Sequence, residues 1–127
     1  MQAYLWVGAG GALGAMGRYG TGVLIGHYLR TEFPLATFAV NVIGSLLMGV
    51  LIGVLARTTP EWQSEARLFV AVGMFGGFTT FSSFSLDAVT LIERGEGALA
   101  ATYILLSVLV SIAALFAGLY LVRSVPV

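Results

Sequence analysis

The residues best suited to handling an ion are concentrated in one stretch: Gly73-Met74-Phe75-Gly76-Gly77-Phe78-Thr79-Thr80-Phe81-Ser82-Ser83-Phe84-Ser85. Paired glycines and paired threonines make a poor continuous helix. Glycine loses too much backbone freedom, and β-branched threonine is crowded by the preceding turn. A break here frees backbone carbonyls and amides. Carbonyls at the end of one half-helix suit a hard cation, and amides at the start of the next suit an anion. A simple glycine kink, with the hydroxyls bonded back onto the helix, accounts for the same residues.

Other polar residues recur at helical spacing. Tyr103, Ser107 and Ser111 fall every fourth residue, so on a helix their hydroxyls form one line. Neutral hydroxyls can donate to an anion without gripping it as a formal charge would, and they can equally serve as interhelical glue. Asn41 brings two amide donors and lies in the row Thr37, Asn41, Ser45, Gly49 and Gly53 on one helical face. Glue is its plainer role as well. Arg18 lies deep in an apolar run, where a cation is costly and is a functional candidate by default. It either draws anions or ties up a carboxylate or helix-end carbonyls. Asp87, about one turn before Glu93, reads as a cap or snorkelling residue, and His27 as an interface residue.

Charges divide the chain into four apolar runs. They are Ala3 to Tyr28, Leu35 to Ala56, Leu68 to Ile92 and Ala98 to Val122, interrupted only by Arg18 and Asp87. Each exceeds the ~20 residues that cross a ~30 Å hydrocarbon core. Only helices or closed barrels satisfy backbone groups in lipid, and these runs are too long for barrel strands. The expected fold is therefore all-α: residues 1-127 as a single transmembrane domain with helices at about 3-28, 35-56, 68-92 and 98-122. The third helix is expected to break mid-membrane. The connections are too short to hold a soluble domain, and the first run lacks the basic flank of a signal peptide. Small-residue pairs Gly10/Gly14 and Gly22/Gly26 predict close helix approach in lipid.

The composition agrees. Of the 127 residues, 58% are hydrophobic and 9% charged, against roughly a quarter charged in soluble domains. Six arginines balance six acids, which leaves no electrostatic footprint for nucleic acid. With no cysteine and one histidine, the chain has no disulfide and no evident transition-metal centre. The face receiving both termini holds Arg57, Arg67 and Arg123, and the opposite face holds Arg30 and Arg94. Orientation follows such asymmetry in short loops. Three against two is a weak bias, compatible with insertion both ways up or with one orientation set by other factors.

Three motifs in chain order resemble the CrcB/Fluc family of fluoride channels, and the likeness extends along the whole chain. Gly10-Gly11-Ala12-Leu13-Gly14-Ala15-Met16-Gly17-Arg18-Tyr19 fits the family's GGxxGAxxRY. Thr37-Phe38-Ala39-Val40-Asn41-Val42-Ile43-Gly44-Ser45 is close to its TLxVNxxGS, and Gly76 to Phe84 follows its GGxTTFSTF. The departures are Ala36 for glycine, Phe38 for leucine, Ser83 for threonine, and the shorter Asp87 where glutamate is frequent. The resemblance implies an antiparallel homodimer of dual-topology subunits with two ion pathways. It implies a structural sodium ion at the dimer centre, held by backbone carbonyls of Gly76 and Thr79. It also implies a fluoride route past Asn41, Phe81, Ser82, Ser83, Phe84, Tyr103 and Ser107. Phe81 and Phe84 would offer ring edges, the positive part of the aromatic quadrupole.

The function so implied is passive, fluoride-selective export across the cell (plasma or inner) membrane by a multi-pass protein that is not an enzyme. A proton-coupled small dual-topology exporter is the first alternative. It calls for a titratable carboxylate deep in the membrane, which the first helix lacks and which Asp87 supplies only off-centre. A non-conducting structural subunit is the second. The charge balance generates a direct test of dual topology. Two arginines added beside Arg30 should fix one orientation, and two beside Arg123 the other. Each variant alone should lose activity and co-expression should restore it; full activity from either alone would show that a single orientation suffices.

Overall fold

The computed structural model describes residues 1–126. Every regular element among them is helical. In chain order these are α1 (Gln2–Tyr28), α2 (Leu35–Thr58), the single turn α3 (Gln63–Ala66), a π-helix (Arg67–Phe75), α4 (Gly76–Phe78), α5 (Phe81–Glu93) and α6 (Gly97–Ser124). Local chemistry sets the boundaries. Pro34, which needs no backbone donor, stands immediately before α2. Thr59 ends that helix in the left-handed region (φ 39°), immediately before Pro60, whose ring disfavours a further helical residue. After α5 the chain turns on Gly95 at φ 79°. Its N–H donates to the Ile92 carbonyl at 3.0 Å and the Glu96 N–H to the Leu91 carbonyl at 2.9 Å, the paired closure that favours glycine at this position.

Two backbone seams organise the bundle. In the first, α1 lies against the π-helix and α4. A Cβ on Gly73 would stand 2.9 Å from both Gly10 Cα and the Val7 carbonyl oxygen, and a Cβ on Gly77 only 2.6 Å from the Gly11 carbonyl oxygen. In the second, α2 lies against α6, with Gly49 on the Leu115 backbone and Gly118 on the Leu46 and Val50 backbone. Of the small pairs in the sequence, Gly10 and Gly14 are buried in the first seam. Gly22 and Gly26 have open space where a side chain would go. The π-helix was not legible in the sequence. Its wide turns lead into α4, one turn before the helix breaks.

The side-chain core is small. Phe84, Ala88, Leu91, Ala100 and Tyr103 form it between α5 and α6, with Phe33 and Phe38 packed against it. Most large apolar side chains point outward instead, among them Leu13, Leu86, Leu109 and Phe116. Among the described residues, three helical stretches are long and apolar enough to cross a membrane: Leu35–Thr58, Gln63–Glu93 and Gly97–Ser124. In the last only 11% of the apolar window is buried, so much apolar surface of α6 is left uncovered by α2 and α5. At one end Arg57 of α2 donates to the carbonyls of Val122 and Val125, closing the end of α6 with a cation.

The first seam yields a paired test. Gly73→Ala forces backbone apart and should destabilise the protein by about 1–3 kcal/mol, as overpacking typically does. Gly8→Ala has nothing within 4 Å to strike and should be neutral or stabilising. Thermal unfolding of the detergent-solubilised protein compares the two.

Candidate functional site

The polypeptide leaves the helical path at Thr79 and Thr80. Both are extended, with φ −79° and ψ 158° at Thr79 and φ −154° and ψ 119° at Thr80. Asn41 of α2 holds them there. The Thr80 N–H donates to Asn41 Oδ1 at 2.8 Å, and Asn41 Nδ2 donates to the Thr80 carbonyl at 3.1 Å. One side-chain amide thus satisfies a backbone donor and acceptor that lipid could not. Thr80 also caps α5, its Oγ1 accepting from the Ser83 N–H at 3.1 Å. Thr79 remains tied to the preceding turn: its N–H and its hydroxyl both donate to the Phe75 carbonyl, at 2.9 and 2.8 Å.

The break leaves carbonyls at the end of α4 without helical donors. In a continuous α-helix the Thr80 N–H would bond the Gly76 carbonyl and the Ser83 N–H the Thr79 carbonyl. Both donors are engaged elsewhere, at Asn41 Oδ1 and at Thr80 Oγ1. The Gly76 and Thr79 carbonyls are among the oxygens so freed, and oxygens are the ligands hard cations prefer.

Beside the break lies a cavity of about 300 Å³, bordered by Asn41, Ser45, Thr79, Thr80, Phe81, Phe84, Ser107 and Ser111. No residue bordering it carries a formal charge. The Ser107 and Ser111 hydroxyls are buried without a hydrogen-bond partner, so their donors are uncommitted. Phe81 and Phe84 share a face, with ring centroids 5.3 Å apart. Phe81 is 78% exposed and Phe84 only 8%. Phe84 stacks in turn on Tyr103, again at 5.3 Å. Tyr103 is wholly buried, and its hydroxyl donates to Asp87 Oδ2 at 3.2 Å.

The remaining residues singled out in the sequence lie around this centre. Ser82 is exposed and Ser83 half-buried at the start of α5. A second cavity, of about 110 Å³, is bordered by Arg18, Thr37, Thr80 and Ser83, so half-buried Arg18 lies on the far side of Thr80 from the larger space. Asp87 borders a third cavity, of about 240 Å³, beneath the α1–α2 connection. Of the residues bordering the larger cavity, the apolar Val108 and Ile112 were not singled out, and the polar Ser45 and Thr80 were given no place on the ion route. Ser45 was signalled by its place one turn after Asn41 on the same face. Thr80 was signalled by the threonine pair that marks the break, but not as the cap of the helix that follows.

Apolar helices of spanning length, a helix interrupted where its backbone needs polar partners, and an uncharged cavity lined by aromatic rings and hydroxyls define a multi-pass membrane protein built to pass a small solute. The chain belongs to the family described as CrcB-like protein, Camphor Resistance (CrcB), whose model matches residues 5–119. A fluoride-specific ion channel, FluC, of Rhodospirillum centenum is 54% identical over 126 residues, covering 98% of each chain. FluC of Erythrobacter litoralis is 50% identical over 128 residues, covering 97% of this chain and 93% of its own. FluC of Agrobacterium fabrum is 52% identical over 118 residues, covering 93% and 94%.

The bracket on Thr80 sets an expectation for Asn41. Asn41→Leu keeps the bulk but strands a buried N–H and a buried carbonyl, each costing about 1–3 kcal/mol. The protein should lose about 2 kcal/mol or more of stability in thermal unfolding, and more than Asn41→Asp, which retains the acceptor.

Proposed function

We propose that this chain is a fluoride-specific ion channel that lets the anion leave the cell passively, and that it is not an enzyme. The observation that carries this reading is near-full-length identity of about half to proteins named for that activity, together with an uncharged, hydroxyl-lined cavity at the broken helix. The chemistry is coherent. Hydrogen fluoride crosses lipid as a neutral acid and dissociates in a less acidic interior, so its removal needs a path for the ion. A fixed cation in the cavity would hold fluoride too tightly for it to leave, whereas hydroxyl donors and aromatic edges attract it weakly.

The route runs past Asn41, Phe81, Ser82, Ser83, Phe84, Tyr103 and Ser107. Arg18 raises the local anion concentration or ties neighbouring oxygens. The working unit is an antiparallel homodimer of subunits inserted both ways up, each crossing the membrane four times with α1 as one crossing. The outward-facing apolar surface of α6 and the even arginine distribution support that reading. The released Gly76 and Thr79 carbonyls fit a sodium ion at the centre of that dimer. When bound, sodium would supply positive charge between the two subunits without any titratable ligand.

Fluoride efflux from liposomes containing only this protein is the deciding measurement. A channel gives fast efflux without a proton gradient. A gradient-dependent flux would indicate the exporter, and none a structural subunit. Phe81→Ile and Phe84→Ile preserve apolar bulk and should cost less than about 1.5 kcal/mol of stability, so both variants should still purify as dimers. Their fluoride efflux should collapse, because the ring quadrupole is gone. A variant that conducts at the parent rate removes its ring from the mechanism, and one that no longer dimerises assigns the ring to packing.

A further inference from the structure

Thr80 is 7% exposed, which makes it one of the few buried polar side chains in the protein. It belongs to the wall of both the larger cavity and the smaller one that Arg18 borders. Its hydroxyl meets three groups: the Ser83 N–H at 3.1 Å, Ser83 Oγ at 3.1 Å and Ser82 Oγ at 3.2 Å. A threonine hydroxyl has one hydrogen to give and two lone pairs to receive with. The Ser83 N–H occupies one lone pair. The single hydrogen is given to Ser83 Oγ. The Ser82 contact can then form only if Ser82 donates its own hydrogen into the remaining lone pair. The count closes with the Ser82 hydrogen consumed and the Ser83 hydrogen free.

We propose that Thr80 is a positioning residue of the channel, whose hydroxyl orders the two serines that follow so that Ser83, and not Ser82, presents a free O–H to a passing fluoride ion. This rests on the fluoride-channel reading. The arrangement matches the placement of the two serines: Ser83 borders the smaller cavity with Arg18, whereas Ser82 borders neither it nor the larger one. It also gives the buried hydroxyl a task beyond capping. Without Thr80, both serine hydrogens rotate freely and can turn to backbone carbonyls one turn back, the usual resting partner of helical serine. With it, Ser83 is held as an acceptor from one side and a donor to the other, the polarity an anion needs from its neighbour.

The test is fluoride efflux from liposomes containing the full chain. Thr80→Val and Ser83→Ala should each slow efflux about tenfold, the equivalent of one hydrogen bond lost along the path. Thr80→Ser, which keeps the hydroxyl, should stay close to the parent. Because Thr80 acts through Ser83, the double variant Thr80→Val/Ser83→Ala should be no slower than the worse single one. Multiplied losses in the double variant, or Thr80→Val at the parent rate, would overturn the proposal. If Thr80→Val does not fold, Ser82→Ala and Ser83→Ala decide the matter, with the larger loss expected at Ser83. Equal losses, or a larger loss at Ser82, would overturn it. A parent chain that passes no fluoride overturns the channel reading along with this one, whereas a conducting parent with the wrong pattern overturns the hydroxyl order alone.

Discussion

A polypeptide inside a bilayer cannot leave a peptide group unpaired, and the pairing of Asn41 with Thr80 is where this chain meets that constraint. A helix interrupted in hydrocarbon exposes groups with no solvent to receive them. Here one side-chain amide from a neighbouring helix takes the place of the missing backbone partners. The other features of the site follow from it. Thr80 can adopt an extended conformation, so its side chain can cap α5. The carbonyls of Gly76 and Thr79 are then relieved of their helical donors, and Phe81 and Phe84 begin a new helix whose direction is independent of the old one.

That interruption is useful only if its surroundings are rigid, and the rigidity comes from two sources. On one side the π-helix and α4 lie on α1 with little but backbone between them. On the other, α5 is held to α6 by the stack of Phe84 on Tyr103 and by the bond from Tyr103 to Asp87. The walls of the larger cavity combine hydroxyls and the Asn41 amide with aromatic rings. None of the described residues bordering it carries a charged side chain, and Arg18 stands instead at the smaller cavity on the other side of Thr80.

Much of this was legible in the sequence because the cues are local. Glycine and threonine pairs mark a helix interruption wherever they occur, and Thr79 and Thr80 carry it. Gly10 and Gly14 announce a close approach, although Gly22 and Gly26 repeat the same spacing without making one. Spacing states what a face allows, and only packing states what covers it. The partner of Asn41 could not be read, because the bond joins residues 39 apart and depends on how two helices register. The π-helix was hidden for a related reason. Its residues are as apolar as those of an α-helix, so no residue type marks its wider turns. Proton direction at Thr80 depends on three contacts at once and leaves no trace in composition.

The glycine seam has one consequence for dynamics. Contacts made by side chains fluctuate as rotamers exchange on the picosecond to nanosecond scale. Where Gly73 meets Gly10 and Gly77 meets Gly11, there are no rotamers to exchange. Such a joint loses no side-chain entropy on forming, and it transmits no side-chain noise to the next residue along the chain. The next residues are Phe78 and Thr79, so the Thr79 carbonyl follows directly on a joint made of backbone. The break in the helix is thereby referenced to backbone geometry rather than to rotamers that exchange.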